Sequence, residues 1–260
     1  MDDKIIKSKI IANCPIVIEG MGKIHTLKLK EIVEFNEDEY FKTLSILTSN
    51  IDDLKVTSLP QEFTYFDYIV SICYNNENKK NQIIKFLEYV FKEEIHFLPN
   101  NLCFFIGKYI NIPANKVTLL DRDNFEMFAR ILRIQNGIKE RPKQIKQENQ
   151  KVNPKVEKLK KKREQGRKNL GKAKGEEFSL ENLISSLGVF LLDIEKALEL
   201  NIYQANNLYE KLLRKEKYHT DFKVYLAGAD IKNLSINKHW TTAYVPMVDD
   251  REIAPDILKN

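Results

Sequence analysis

Two groups of side chains in this sequence have the types and spacing to do chemistry. The first is Glu93, Glu94 and His96 in one short run, with Asp121 and Asp123 downstream. Carboxylates and an imidazole are ordinary ligands for a divalent metal, provided that the chain brings them to one point. Spacing alone gives no such convergence, and the plainer reading is a charged helix end leading into an edge strand. The second group is Gly166-Arg-Lys-Asn-Leu-Gly171-Lys172-Ala173, which follows the phosphate-loop pattern. Ala173 stands where that loop needs a Ser or Thr hydroxyl for magnesium. A run of lysines precedes Gly166, whereas a phosphate site needs strand, loop and helix N-terminus together. His25 and Cys14 have no neighbours in sequence that complete a set of nucleophile, base and orienting group. No catalytic residue, cofactor or metal ligand is therefore assigned, and the chain reads as non-enzymatic.

Gly166 lies inside the most unusual stretch of the chain. Lys139–Gly175 holds fifteen Lys or Arg against four Glu, a net of +11 in a protein whose total is +5. The remainder sums to −6, so the chain reads as two acidic halves joined by a basic connector, bounded here as residues 139–178. The connector has few apolar residues with which to offset the entropy of ordering its backbone. Pro142 and Pro154 break helix in its first part, and a solvated helix is expected from about Pro154 to Gln165. Its densest cluster is Lys158, Lys160, Lys161, Lys162, Arg163, Arg167 and Lys168. Such a run serves as a solvated linker, docks on an acidic surface, or contacts phosphates in a salt-sensitive way. It contains no aromatic residue on which a base could stack, which argues against a dedicated nucleic-acid role.

A length of 260 residues allows one or two domains with a sizeable core. Apolar runs such as Val189–Leu192 fall far short of a membrane span. Cys14, Cys73 and Cys103 are an odd number without a C-x-x-C pair and read as thiols in a reducing compartment. The opening Met-Asp-Asp-Lys-Ile-Ile-Lys-Ser-Lys has no apolar signal core, so a soluble intracellular protein is expected.

Residues 1–138 read as a small α+β domain. Pro15–Ile18 and Lys23–Leu29 flank Glu19-Gly-Met-Gly22, whose glycines permit the positive φ of a hairpin. Alternation puts Ile24, Thr26 and Lys28 on one face of the second arm and His25, Leu27 and Leu29 on the other. Helices are expected over 37–49 with Asn36 as N-cap, over 63–74, and over 81–92. A second hairpin, 95–98 with 102–106, turns at Pro99-Asn-Asn101. Short extended pieces follow over 109–119. Asp121 or Asp123 then starts a last helix with Phe125, Phe128, Ile131 and Leu132 on one face.

Residues 179–240 read as a separate helical module, followed by a loose tail over 241–260. Ser179 caps a helix carrying Leu180, Leu183, Ile184 and Leu187, stopped near Gly188. Asp193 caps a short helix to Leu200. Asn201 and Gln204 form a capping box that opens the main helix, with Ala205, Leu208, Tyr209, Leu212 and Leu213 on its inner face. Thr220 or Asp221 starts another helix bearing Phe222 and Tyr225, and His239-Trp240 precedes the tail. A module of this size is small for independent stability, so its apolar faces are expected to meet a partner or another copy. Trp240, the one tryptophan, is a buried anchor or an interface hot spot.

Two segments carry a family resemblance. Cys14–Ile32 resembles the short hairpin near the start of proteins from the tail-gene clusters of phages that infect Gram-positive bacteria. Ile202–Trp240 resembles their C-terminal pattern: a tyrosine-containing helix, a second helix ending in Ala-Gly-Ala, and a closing His-Trp pair. Tyr203, Leu208, Tyr209, Ala227-Gly228-Ala229 and His239-Trp240 stand at those positions. The family is similar to tail assembly chaperones, which hold the tape-measure protein in the host cytoplasm before release. The resemblance implies a non-enzymatic chaperone that engages the tape-measure protein by helix-in-groove contacts through Tyr203, Leu208, Tyr209, Leu212, Leu213, Phe222, Tyr225, His239 and Trp240. A permanent component of the tail or neck and a nucleic-acid-binding protein acting through the basic connector are the open alternatives. Homo-oligomers are compatible with either.

Overall fold

The computed structural model describes residues 1–51, 54, 62–108, 117–138 and 179–228. The chain divides into two compact units, Met1–Asn206 and Asn207–Asn260. The basic connector, the glycines of the phosphate-loop pattern and the tail lie outside the described residues. The architecture is α+β.

The first unit opens with helix α1, Asp3–Ile11, whose N-terminus is capped by the Asp2 carboxylate accepting the Lys4 N–H at 3.0 Å. Strands β1 (Ile16–Ile18) and β2 (Gly22–Ile24) pair antiparallel around a turn in which Gly20 and Gly22 hold φ of 77° and 93°. The second arm was expected to extend to Leu29, but it ends at Ile24. Both Ile24 and Leu27 are buried, so strict alternation fails after the turn. Leu29 instead opens α2 (Leu29–Phe35), with the Glu31 carboxylate accepting the Lys28 N–H at 2.9 Å.

Helices α3 (Glu37–Thr48), α4 (Tyr65–Asn75) and α5 (Glu77–Phe91) start on Asn36, Thr64 and Asn76, whose side chains each accept an N–H of the first turn. This follows the short polar residues at those positions and the absence of an interior Pro or Gly. Strands β3 (Ile95–Leu98), β4 (Cys103–Ile106) and β5 (Thr118–Leu120) form an antiparallel sheet in the order β3-β4-β5. Helix α6 (Phe125–Gln135) follows a turn in which Asp121 accepts the N–H groups of Asp123 and Asn124.

These elements share an aromatic core. Phe35, Phe86, Phe91, Phe104 and Phe128 are inaccessible to solvent. The Phe91 and Phe128 rings stack at 5.5 Å, and Phe35 meets Phe86 edge-on at 6.0 Å. Each buried phenylalanine contributes about 1.5–3 kcal/mol from area removed from water. Tyr40 reaches the same core, and burial pushes its phenol well above its ordinary value, leaving a neutral donor to Asn136 Oδ1 at 2.7 Å.

Helices α7 (Leu180–Leu191), α8 (Ile194–Leu198) and the first turn of α9 (Ile202–Leu226) belong to this same unit. The separate module expected at 179–240 is therefore divided. Leu180, Leu183, Ile184, Leu187, Ala197, Ile202 and Ala205 are buried. The Leu29 N–H donates to the Leu200 carbonyl at 2.7 Å, and Lys28 forms an antiparallel bridge with Asn201. The Asn201 and Gln204 box forms as expected, with Gln204 N–H on Asn201 Oδ1 at 2.8 Å and Asn201 N–H on Gln204 Oε1 at 2.9 Å. The other ends of both side chains donate to carbonyls at the close of α1, Asn201 Nδ2 to Ile10 at 3.0 Å and Gln204 Nε2 to Ile11 at 2.8 Å.

Two further boundaries differ from expectation. Gly188 does not stop α7; a Cβ there would lie 3.3 Å from Ile194 Cγ1 and 3.4 Å from its Cα, so the glycine permits close approach of α8. Helix α9 runs through Thr220 and Asp221 without a break.

The Glu199 carboxylate accepts from both Lys28 and Lys30. Hydrogen bonds from Lys28 and then Lys30 hold its carboxyl down at about 2, against an ordinary 4.5. The unfolded group binds its proton first as pH falls, so the pair stabilises the fold fully above 4.5 and loses that contribution toward 2. The stability difference between wild type and Glu199→Gln, read as urea midpoints, is expected to stay constant from about pH 7 to 5 and to close in stronger acid. A difference independent of pH would remove this account.

Candidate partner-binding surface

Residues that offer chemistry are dispersed or already used. The His96 ring lies against Phe105 at 6.1 Å, and its Nε2 is 3.9 Å from the Glu94 carboxylate. Asp121 is engaged at the start of α6. Among the described residues, no group of His, Cys, Asp and Glu side chains is placed to hold a metal ion. Burial pushes the Cys73 thiol up to about 12 and raises Cys103 as well, so neither is poised as a thiolate.

The apolar residues tell more. In the first unit, Val189, Phe190, Leu192 and Ile194 are exposed at the corner between α7 and α8. Leu192 is 91% exposed and holds φ of 54°, a left-handed conformation that costs a branched side chain about 1–2 kcal/mol. The corner is set by Asp193, which accepts the N–H groups of Glu195 and Lys196 at 3.0 and 3.2 Å. Side chains at Leu180, Leu183, Ile184 and Leu187 take the buried face of α7, which leaves the residues after Gly188 outside. The contiguous apolar run before a capping aspartate is the sequence signal that marks this corner. The expected site did not include it.

In the second unit, α9 presents Tyr209, Leu213, Phe222, Val224, Tyr225 and Leu226 as exposed residues. Leu208 and Leu212 are half-buried, as is Tyr203 in the helix's first turn. Because the helix is continuous, its residues keep one angular register of about 100° each. Leu208, Tyr209, Leu212 and Leu213 therefore form one group, and Tyr218, Phe222, Tyr225 and Leu226 another, about 120° around the axis. The Tyr218 and Phe222 rings stack at 6.4 Å within the second group. In the continuous helix the two groups adjoin, because Leu226 comes about five turns after Leu208 and points the same way. Arg214 and Glu210 pair at 3.9 Å on the polar side. His239, Trp240 and the lysine cluster Lys158, Lys160, Lys161, Lys162, Arg163, Arg167 and Lys168 lie outside the described residues. No described helix is long and apolar enough to cross a membrane.

Residues 171–244 match the protein-family model described as YomV second domain. The match covers well under half of the chain, takes in both the α7–α8 corner and all of α9, and supports a phage-related protein. No curated protein and no solved structure matches the chain.

Proposed function

We propose that this protein is a non-enzymatic tail assembly chaperone that holds the phage tape-measure protein in the host cytoplasm during tail morphogenesis. The observation that carries the reading is the display of large apolar side chains, at the α7–α8 corner and along α9, within the segment matched by the phage family model. Exposed apolar patches of this kind mark surfaces that meet another polypeptide. An amphipathic helix of the tape-measure protein suits them, since aromatic and leucine anchors spaced along α9 match helix-in-groove recognition.

Co-expression with the tape-measure protein tests the reading. The partner's soluble fraction is expected to rise, and the two proteins to co-purify; no gain and no co-purification would remove it. Mass spectrometry of purified virions separates a chaperone, absent from the particle, from a permanent tail or neck component. Leu192→Gly separates binding from folding. Relief of the left-handed leucine offsets the greater unfolded-state freedom of glycine, so stability is expected to stay within about 1 kcal/mol of wild type. Capture of the partner is expected to fall because an exposed anchor is gone. Unchanged capture would exclude the corner from the interface.

A further inference from the structure

Helix α9 carries a second pattern along its length. Leu208, Leu212, Lys215, His219, Phe222 and Leu226 follow one another at steps of four, three, four, three and four residues. Such steps are the a and d positions of a coiled-coil seam and keep one face of a helix toward a partner helix. His219, Phe222 and Leu226 are exposed along this seam, and Leu208, Leu212 and Lys215 are half-buried. The seam reads the same from either end: two apolar residues, two polar, two apolar.

That symmetry selects the occupant. Laid antiparallel on a second α9 and centred at the level of Lys217, Leu208 meets Leu226, Leu212 meets Phe222 and Lys215 meets His219, each layer occurring twice. A slip of one heptad one way sets Phe222 and Leu226 against His219 and Lys215. A slip the other way sets Leu208 and Leu212 against the same two polar residues. A parallel pair would stack Lys215 on Lys215, whereas the antiparallel one offers its ammonium a nitrogen of the His219 imidazole as acceptor. Beside the seam, Tyr209 comes next to Lys223 and Lys211 next to Tyr225, each a cation at an aromatic ring. Exposed Glu216 faces its own copy at the axis, a like-charge contact at the rim. We propose that α9 pairs antiparallel with α9 of a second copy of this chain, in this one register. The pair is short and polar at its centre, so it forms reversibly. Leu213 and Val224 lie outside the seam and stay open in it. The inference shares α9 with the chaperone reading but does not rest on it, and its test needs no tape-measure protein.

Analytical ultracentrifugation of the full-length protein, from low-micromolar to submillimolar concentration, tests it. The mass is expected to rise from that of one chain to that of two. Phe222→Glu changes an exposed seam residue and enters the pair twice, so association is expected to weaken about a hundredfold. Glu216→Gln removes the like-charge contact at the axis and is expected to tighten association about threefold. Orientation is read with a short thiol cross-linker in a Cys14→Ser background, Cys73 and Cys103 being buried. Glu216→Cys is expected to cross-link two copies, because an antiparallel pair brings this position against itself. Lys217→Cys, on the outer side of the helix, is expected not to. A single chain at every concentration would overturn the proposal. So would a dimer that persists in Phe222→Glu, or equal cross-linking at the two cysteine positions, since either places the contact elsewhere.

Discussion

Asn201→Ala is expected to lower the stability of the first unit by about 3 kcal/mol, near the top of what one polar side chain contributes. The asparagine is wholly buried. Its Oδ1 caps α9 through the Gln204 N–H, and its Nδ2 reaches back to the Ile10 carbonyl. Losing the cap costs about 1 kcal/mol. Stranding the Gln204 N–H and removing a bond to Ile10 adds about 1–3 kcal/mol. The Ile10 carbonyl also accepts from Asn13 at 3.1 Å, which keeps the total from rising further. Asn201→Ser retains a capping oxygen but not the reach to α1, so about half the loss is expected. The readout is the urea midpoint at constant slope, and for a unit of this size the melting temperature should fall by roughly 6–12 °C. If alanine and serine behaved alike, and close to wild type, the link between α9 and α1 would carry no weight.

That same residue shows what a sequence can disclose. The Asn201–Gln204 box was legible because a cap is a local device: both partners lie within one turn. Asn36, Ser179 and Asp193 were legible for the same reason, and each caps the helix expected of it. Of the stripe expected over 63–74, Phe66, Ile69, Val70 and Cys73 are buried while Phe63 precedes α4 and is half-buried; Phe125, Phe128, Ile131 and Leu132 are all buried, as helical spacing implied. Helix α1 was not legible, since only Ile6 and Ile10 of it are buried, Ile5 and Ile11 are exposed, and the other positions are Asp, Lys and Ser. The second task of Asn201 was also hidden. Its acceptor is a main-chain carbonyl at Ile10, and carbonyls look alike at every position.

The helix boundary at Thr220 failed in an instructive way. Thr-Asp is a good N-cap, but a cap matters only where a helix must start. A helix already under way adds a bond for each residue fixed, whereas a new one must be nucleated. With no Pro or Gly between Ile202 and Leu226, continuation wins. The inner face expected for Ala205, Leu208, Tyr209, Leu212 and Leu213 is buried only at Ala205; Tyr209 and Leu213 are exposed, and Phe222 and Tyr225 continue along the same rod.

Cleavage inside residues 139–178 is expected to leave the first unit intact, a result that a connector between two independent bodies would not give. The chain leaves the described structure at Ile138 and returns at Ser179 within the same compact unit. Both ends are fastened to one turn of α3, since Tyr40 donates to Asn136 at 2.7 Å and the Leu180 N–H donates to the Glu37 carboxylate at 3.2 Å. Inserting a specific protease site after Gly166 and cutting there should yield two fragments that elute together and melt together. Their association rests on the buried leucines of α7, the Lys28 and Lys30 pairs with Glu199, and Asn201 with Gln204 on α1. Once the covalent link is cut, the roughly 3 kcal/mol assigned to Asn201 becomes an affinity. Asn201→Ala should then weaken fragment association about a hundredfold, measurable by titrating one fragment into the other. Fragments that separate on cutting, with Asn201 intact, would show instead that the basic stretch is a tether, and that the helices after Ser179 need it to stay in place.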